Sequence, residues 1–436
     1  MWMLFAFLGG STAAYIIVGL STLLLASSKR YFELLLGFFF LLLLSDNLDE
    51  RLWFAKTFKN FYMVLMGLVV ITDREKFKPF SNLFNLFLPF ILLAIFALQF
   101  SGSFGVGAQK TVSYILLLIT IPNFFKLLYR QEGISFLRDI VYFLVLILVV
   151  GYLSKYLSFE FAYIEGGRMR GLFGNPNGLG IFLFLFFSFF KFTNTFYPTL
   201  FNLNEKRFIY FVIYAALIFC GSRTAFICIL MFVILEKIHL ISPYIGFLIL
   251  VAVIYSYEVI MNNIVSIIKS FGMEQYFRIN TLEEGSGRFV AWAFAWDKIQ
   301  NFYFFGGGLG NDEFIMRKNY GILTKLGHQG GVHNSYLTFW FDVGIVGLVT
   351  YLRSLVLVFI KGAKKTPLAI PFMYSVLFSM TYESWIVGSL NPFTIILFFS
   401  FALIFEDEFV PQEIPEEVDE KKELFNNLRH EETKAH

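Results

Sequence analysis

Val332-His333-Asn334-Ser335-Tyr336-Leu337 marks the point where a long polar loop gives way to an apolar run that continues to residue 360. About 18 apolar residues in a row are enough to cross a bilayer as a helix. Reading outward from this run, others like it fall at 3–26, 31–45, 58–72, 83–100, 111–129, 139–157, 177–192, 208–221, 223–236, 244–261, 367–382 and 386–405. None alternates as a membrane barrel requires. The expected fold is all-α: a polytopic transmembrane helix bundle of about 12–14 spans. Its longest connection is a partly helical extracytoplasmic loop. The pairs around 208–236 and 367–405 also read as broken helices.

Composition points the same way. Of 436 residues, 57% are hydrophobic and 15% charged, whereas a soluble domain carries about a quarter charged residues. The net charge is +3 and there is no long basic block, so no nucleic-acid partner is expected. Cys220 and Cys228 sit in apolar segments, with neither a disulfide framework nor zinc spacing. The first run lacks a basic leader and a small-residue cleavage site, and reads as a retained helix rather than a signal.

Basic residues orient the runs. Lys29-Arg30, Arg74, Lys76, Lys78, Lys126, Arg130, Arg138, Lys206-Arg207, Lys237, Lys361, Lys364 and Lys365 fall on alternate connections. By the positive-inside rule these face the cytoplasm. Thirteen spans then place the N-terminus outside. The chain divides into N-terminal transmembrane helices (1–157), helices with the arginine loop and turn (158–261), an extracytoplasmic loop (262–334), C-terminal helices (335–405) and a polar cytoplasmic tail (406–436). The outer face collects Arg168 and Arg170, the turn Gly221-Ser222-Arg223, and Arg288 with His333.

These residue types suit an anion. A guanidinium meets phosphate through two parallel hydrogen bonds, which lysine cannot copy. Arg223 lies at a bilayer edge, where it either snorkels to lipid phosphates or clamps a bound one. Arg288 follows Ser286, a good N-cap. The helix it opens carries Phe289, Trp292, Trp296 and Ile299 on one stripe, expected to lie on the membrane interface. A cation in a first helical turn opposes the dipole unless an anion binds there; a salt bridge to Glu283 or Glu284 is the plainer alternative. His333 suits proton transfer near neutrality, with His328 as rival base. Five residues separate the two histidines, a poor spacing for a shared metal.

Asn175 and Pro176 read as a helix start behind the Arg168–Arg170 loop. Gly306 to Gly310 has no βαβ context, so it reads as a flexible hinge rather than a nucleotide loop. Asp342 and Glu383, acids in or beside apolar runs, are expected to pair with arginines.

At these positions the sequence resembles the O-antigen ligase and O-antigen polymerase superfamily. The resemblance covers roughly residues 165–360. It rests on Arg168-x-Arg170-Gly-Leu-Phe-x-Asn-Pro-Asn-x-Leu-Gly180, Gly221-Ser-Arg223-Thr-Ala, Gly287-Arg288-x-x-x-Trp292 and His333-Asn334-x-Tyr336-Leu337 followed by Gly344-x-x-Gly347. It implies a glycosyltransferase of the bacterial inner membrane, with its active site facing the periplasm and neither metal nor other cofactor. The implied donor is a glycan on undecaprenyl diphosphate. Arg223 and Arg288 are then expected at the diphosphate and His333 at the acceptor hydroxyl, with inversion at the anomeric carbon. Arg168, Arg170, Asn334, Tyr336 and Trp292 are the expected contacts to diphosphate or sugar. The Asn-Pro-Asn motif leans toward a polymerase, whose acceptor is a second lipid-linked repeat unit; a ligase would use lipid A core. Membrane lipid and, for a polymerase, a chain-length regulator are implied partners. A lipid-linked oligosaccharide flippase is the rival from another class, although transporters gather polar residues at mid-membrane and these gather at one face. A receptor-like scaffold leaves the four arginines without a purpose.

Overall fold

The computed structural model describes residues 1–156, 158–164, 167–238, 242, 244–256, 288–328 and 330–411. Glu283, Glu284 and the Ser286 cap, with the rest of 257–287, lie outside the described residues, as does the tail beyond 411. The first helices are α1 (Trp2–Ser27), α2 (Tyr31–Asp46), α3 (Trp53–Thr72), α4 (Arg74–Phe77), α5 (Leu83–Ala97) and α6 (Phe104–Glu132). Then follow α7 (Ser135–Leu153), α8 (Phe159–Ala162), α9 (Pro176–Phe196), α10 (Leu203–Cys220), α11 (Arg223–Ile238) and α12 (Tyr244–Ser256). The last are α13 (Arg288–Ile299), α14 (Asn311–Lys318), α15 (Tyr320–Lys325), α16 (Ser335–Ala363), α17 (Ala369–Tyr382) and α18 (Pro392–Phe405). Among the described residues the only strand-like pairing is an isolated bridge, Tyr163 to Met169.

Among the described residues each apolar run found in the sequence falls largely on a helix, and the protein is an all-α, multi-pass bundle. Among the described residues seven helices are long and apolar enough to cross a membrane alone; α12, α17 and α18 are shorter apolar helices. The two suspected broken helices are each two separate helices. Gly221, left-handed at φ 56°, turns α10 tightly into α11. Glu383 to Asn391 separates α17 from α18, which Asn391 caps and Pro392 opens.

Ion pairs and hydrogen bonds sort the connections onto two ends. Lys29–Asp73 at 2.9 Å, Lys191–Glu236 at 3.0 Å, Lys126–Glu406 at 3.1 Å and Lys361–Asp407 at 3.1 Å tie the basic connections together. At the opposite end the Gly174 amide donates to Asp46 (2.9 Å), and Lys110 pairs with Glu313 (2.6 Å). The alternation read from charge is therefore the alternation of the bundle.

α6 and α9 run through the middle, with 78% and 83% of their apolar windows buried, whereas α1 buries 17%. Lipid is as apolar as leucine, so helices here are held by close packing rather than by escape from water. The 59 phenylalanines supply that packing. Phe125 stacks on Phe399 at 5.2 Å, and Phe90 meets Phe339 edge-on at 5.7 Å.

The segment before α16 has a small core of its own. Ala291, Ala295 and Ile299 of α13 bury with Met316, Leu323, Val332 and Phe341. Two alanines one turn apart let α13 approach α16; of the expected stripe, Ile299 joins this buried face, while Phe289 and Trp296 stay about half exposed. The Gly306–Gly310 hinge is corrected, because these glycines form a tight dock. Gly344 breaks the α16 helix at φ 70°, ψ 178°. There the Ile345 amide donates to the Tyr303 carbonyl (2.9 Å) and the Gly307 amide to that of Phe341 (3.2 Å). A Cβ on Gly306 would strike the Asp342 carbonyl oxygen, and one on Gly344 that of Phe304. Nor does Asp342 pair with an arginine: its carboxylate accepts from the Gly310 and Asp312 amides at 2.7 and 2.9 Å.

Gly344→Ala should therefore be costly. It forces a side chain into backbone geometry open essentially to glycine, at about 1–3 kcal/mol, and adds a clash worth about 1–3 kcal/mol. Thermal unfolding in detergent should show a clear drop in midpoint. Gly321→Ala, in open space, should stay within about 0.5 kcal/mol.

Candidate active site

The site forms where five elements end together, and each is delivered by a local rule. Asn175 caps α9 by accepting from the Gly178 amide at 2.8 Å, with Pro176 in the first turn. This places Asn177 on the end of the bundle. Gly180 is required beside it, since a Cβ there would collide with the Ser222 side chain. The α9 start and the Gly221-Ser222-Arg223 turn are thus pressed together. Asn334 caps α16 by accepting from the Leu337 amide at 3.0 Å.

Glu383, at the end of α17, is the shared acceptor. Its Oε1 takes a hydrogen bond from Arg288 Nη2 at 3.0 Å and from Asn177 Nδ2 at 3.3 Å. Its Oε2 lies 3.6 Å from His333 Nδ1. Arg168 extends the network: Nη2 donates to Asn177 Oδ1 at 3.1 Å, and Nε to the Cys220 carbonyl at 2.9 Å. The side chains of Glu383 and Arg288 are only 9% and 17% exposed. A charge pair so enclosed stands only with good geometry and further hydrogen bonds, and Asn177 supplies one.

His333 is held in an unusual backbone state. Its φ is +53°, and Lys29 is the only other non-glycine described with positive φ. That geometry costs about 1–2 kcal/mol in an L-residue, and such outliers gather at functional sites. The Asn334 amide donates to Ser384 Oγ (3.0 Å) and Ser335 Oγ to the Glu383 carbonyl (2.6 Å), pinning the segment to the end of α17. The imidazole is 38% exposed with Nδ1 toward Glu383, and Gly330 lies against Nε2, where a Cβ would approach to 3.0 Å. His328, the rival base, is 2% exposed with Nε2 at 3.0 Å from the Gly331 carbonyl. Its ring lies edge-on to His333 at 6.1 Å.

The remaining candidates divide. Arg223 opens α11, directly after the two carbonyls that Arg168 binds. Arg168 joins those carbonyls to Asn177, which bonds Glu383, and α11 packs on α17 with Cys228 Sγ 3.6 Å from the Ser375 carbonyl. Trp292 donates to the Val332 carbonyl (3.1 Å) and faces Tyr382 at 6.3 Å, beside the network. Tyr336 spends its hydroxyl on the Leu377 carbonyl at 2.9 Å. Arg170 turns away: its nitrogens donate to the carbonyls of Phe161, Gly174 and Glu160 at 3.1, 3.4 and 2.9 Å. Burial lowers its pKa, with Asp49 acting in the opposite direction. It shapes the loop that presents Arg168.

Residues 208–352 match the family model described as O-antigen ligase. This segment, about a third of the chain, is similar to the O-antigen ligase family. No curated protein matches the chain. The matched segment contains Arg223, Arg288 and His333, while Arg168, Asn177 and Glu383 lie outside the matched residues. The carboxylate that gathers the segment's arginine and histidine thus comes from the helix after it.

Sequence reading had marked Glu383 as an acid in search of an arginine, and Arg288 is that arginine. It missed Asn177 and Ser384. The repeated asparagine in Asn175-Pro176-Asn177 was the available signal, since one asparagine suffices for a cap. Glu383→Ala leaves Arg288 enclosed without its partner and should cost about 3 kcal/mol or more. Glu383→Gln keeps an acceptor for Asn177 and should fall between it and the parent in thermal midpoint. Equal midpoints for all three would remove Glu383 from this role.

Proposed function

We propose that the protein is a polysaccharide polymerase-type glycosyltransferase. In this reading it moves a glycan from undecaprenyl diphosphate to a sugar hydroxyl on a second lipid-linked repeat unit, on the periplasmic side of the inner membrane. The observation that carries the reading is the convergence of Arg288, His333 and, through Asn177, Arg168 around one enclosed carboxylate.

The chemistry follows from those groups. The acceptor hydroxyl attacks the anomeric carbon as the bond from that carbon to the diphosphate oxygen breaks, with inversion. His333 takes the hydroxyl proton on Nε2 while Nδ1 faces Glu383. Negative charge grows on the departing lipid diphosphate, where guanidiniums that bind tighter as charge develops lower the barrier. Arg288 and Arg223 are the phosphate clamps and Arg168 supports them. In the resting site Glu383 occupies Arg288 as a carboxylate stand-in for the substrate's anion.

A ligase passing the glycan to lipid A core is the second reading, favoured by the description of the matched family model. One assay separates the two. Purified enzyme is given the lipid-linked repeat unit alone, then with core lipid A. A ladder without core supports the polymerase; product only with core means a ligase; translocation without any transfer would mean a flippase.

His333→Ala should lower turnover by about 10²–10⁴-fold, the range for losing a positioned base, with insertion and folding retained. Arg288→Lys should recover little of the activity lost in Arg288→Ala, because an ammonium cannot make the forked contact. Unchanged chain growth in a well-inserted His333→Ala variant would end this assignment.

A further inference from the structure

A groove of about 550 Å³ runs between α7 and α10. Its walls include Leu148, Tyr152, Met169, Phe211, Ala215 and Phe219. The Tyr152 hydroxyl is the one side-chain polar group among the lining residues. From Phe208 to Phe219 it follows α10 for roughly 16 Å at 1.5 Å per residue, so it is long rather than round. Phe208, Phe211 and Ile218 are among the most exposed apolar residues of α10, and the groove opens along that side.

One end is not apolar. Lys155 Nζ donates to the Tyr152 hydroxyl at 2.7 Å and lies 3.9 Å from the centre of that ring and 5.0 Å from that of Tyr156. Among the described residues no carboxylate pairs with it. This is the end reached by Met169, whose amide donates to the Phe219 carbonyl at 2.9 Å. Met169 lines the groove and its neighbour Arg168 binds Asn177, so one dipeptide separates the groove from the candidate active site.

We propose that this groove seats the isoprenoid tail of a second lipid-linked substrate, with its phosphate on Lys155. The proposal rests on the polymerase reading, in which two lipid-anchored units must reach one site from the same leaflet. One anchor's diphosphate lies on Arg223 and Arg288. The other needs a separate apolar track ending in a cation at the end that Met169 reaches, and the groove with Lys155 provides both. A long apolar slot excludes the glycan itself, and the tyrosines around Lys155 supply hydroxyls and ring faces at the depth where head groups lie.

The test uses the full-length protein in nanodiscs of phosphatidylethanolamine and phosphatidylglycerol, with a benzophenone-bearing polyprenyl diphosphate as probe. Labelling should map to α10 and be competed by unlabelled polyprenyl diphosphate but not by added phosphatidylglycerol. Ala215→Trp, which fills the slot, should cut labelling by about tenfold or more. Lys155→Glu, which leaves the slot open, should weaken it by about fivefold or more at an interfacial charge. Arg288→Ala should leave labelling intact. Competition by phosphatidylglycerol would make the groove an ordinary lipid contact, and loss of labelling in Arg288→Ala would give the tail to the donor; either overturns the proposal. If the parent protein labels as expected yet transfers no glycan, the enzymatic reading fails while the groove stands.

Discussion

A single carboxylate holds this end of the bundle together. Glu383 sits where α17 stops, and from there reaches Arg288 on α13, Asn177 on α9 and the imidazole before α16. Placing an ion where water is scarce costs several kcal/mol unless its lone pairs are met. That cost makes the arrangement specific: shifting α9, α13 or the His333 segment removes a donor the carboxylate requires. The rest of the end is built to keep those donors in place, through the Asn175 and Asn334 caps and through Gly180, which lets α9 touch the Ser222 turn.

The dock at Gly306 and Gly344 does for the outer segment what Glu383 does for the helices. α13 lies in a connection and buries only the face that carries Ala291, Ala295 and Ile299. Its placement comes from backbone bonding to the broken point of α16, reinforced by the Asp342 carboxylate on two amides. Arg288 begins α13, so an error in the dock would be carried along the helix to the guanidinium. A mobile hinge at Gly306–Gly310 would defeat that purpose.

The bundle was legible because its signals are collective. Runs such as 139–157 need only length and low polarity, and Lys29, Arg130 and Lys361 need only the sign of their charge to fix alternation. The Asn175-Pro176 start was legible because capping is a local rule. The partnership of Glu383 with Arg288, 95 residues apart, was only half legible: an acid at an apolar edge announces that it needs a cation, but not which one. The fate of Arg170 was hidden for a related reason. Arg168 and Arg170 look alike in sequence, yet one neighbour's donors go to the site and the other's to carbonyls of its own loop. In α13 the aromatic stripe drew attention, but the packing face is set by the small residues Ala291 and Ala295, which no periodic signal singled out.

Charge balance gives the site its direction. Arg168, Arg223 and Arg288 against Glu383 leave two positive charges once Arg170 is assigned to its loop. A glycan linked to a lipid through diphosphate carries two negative charges, so in the proposed reaction the resting site and bound donor are matched. As the glycosidic bond breaks, the departing diphosphate gains one negative charge. If His333 accepts the hydroxyl proton, the site gains one positive charge in the same step. Site and leaving group then stay in balance along the reaction, and the enclosed surroundings of Arg288 and Glu383 strengthen each of those interactions relative to water. In the proposed reaction a phosphate clamp without a nearby base would lack that compensating charge, so that reading assigns the strained backbone of His333, pinned by Ser384 and Ser335, to the same device as the arginines.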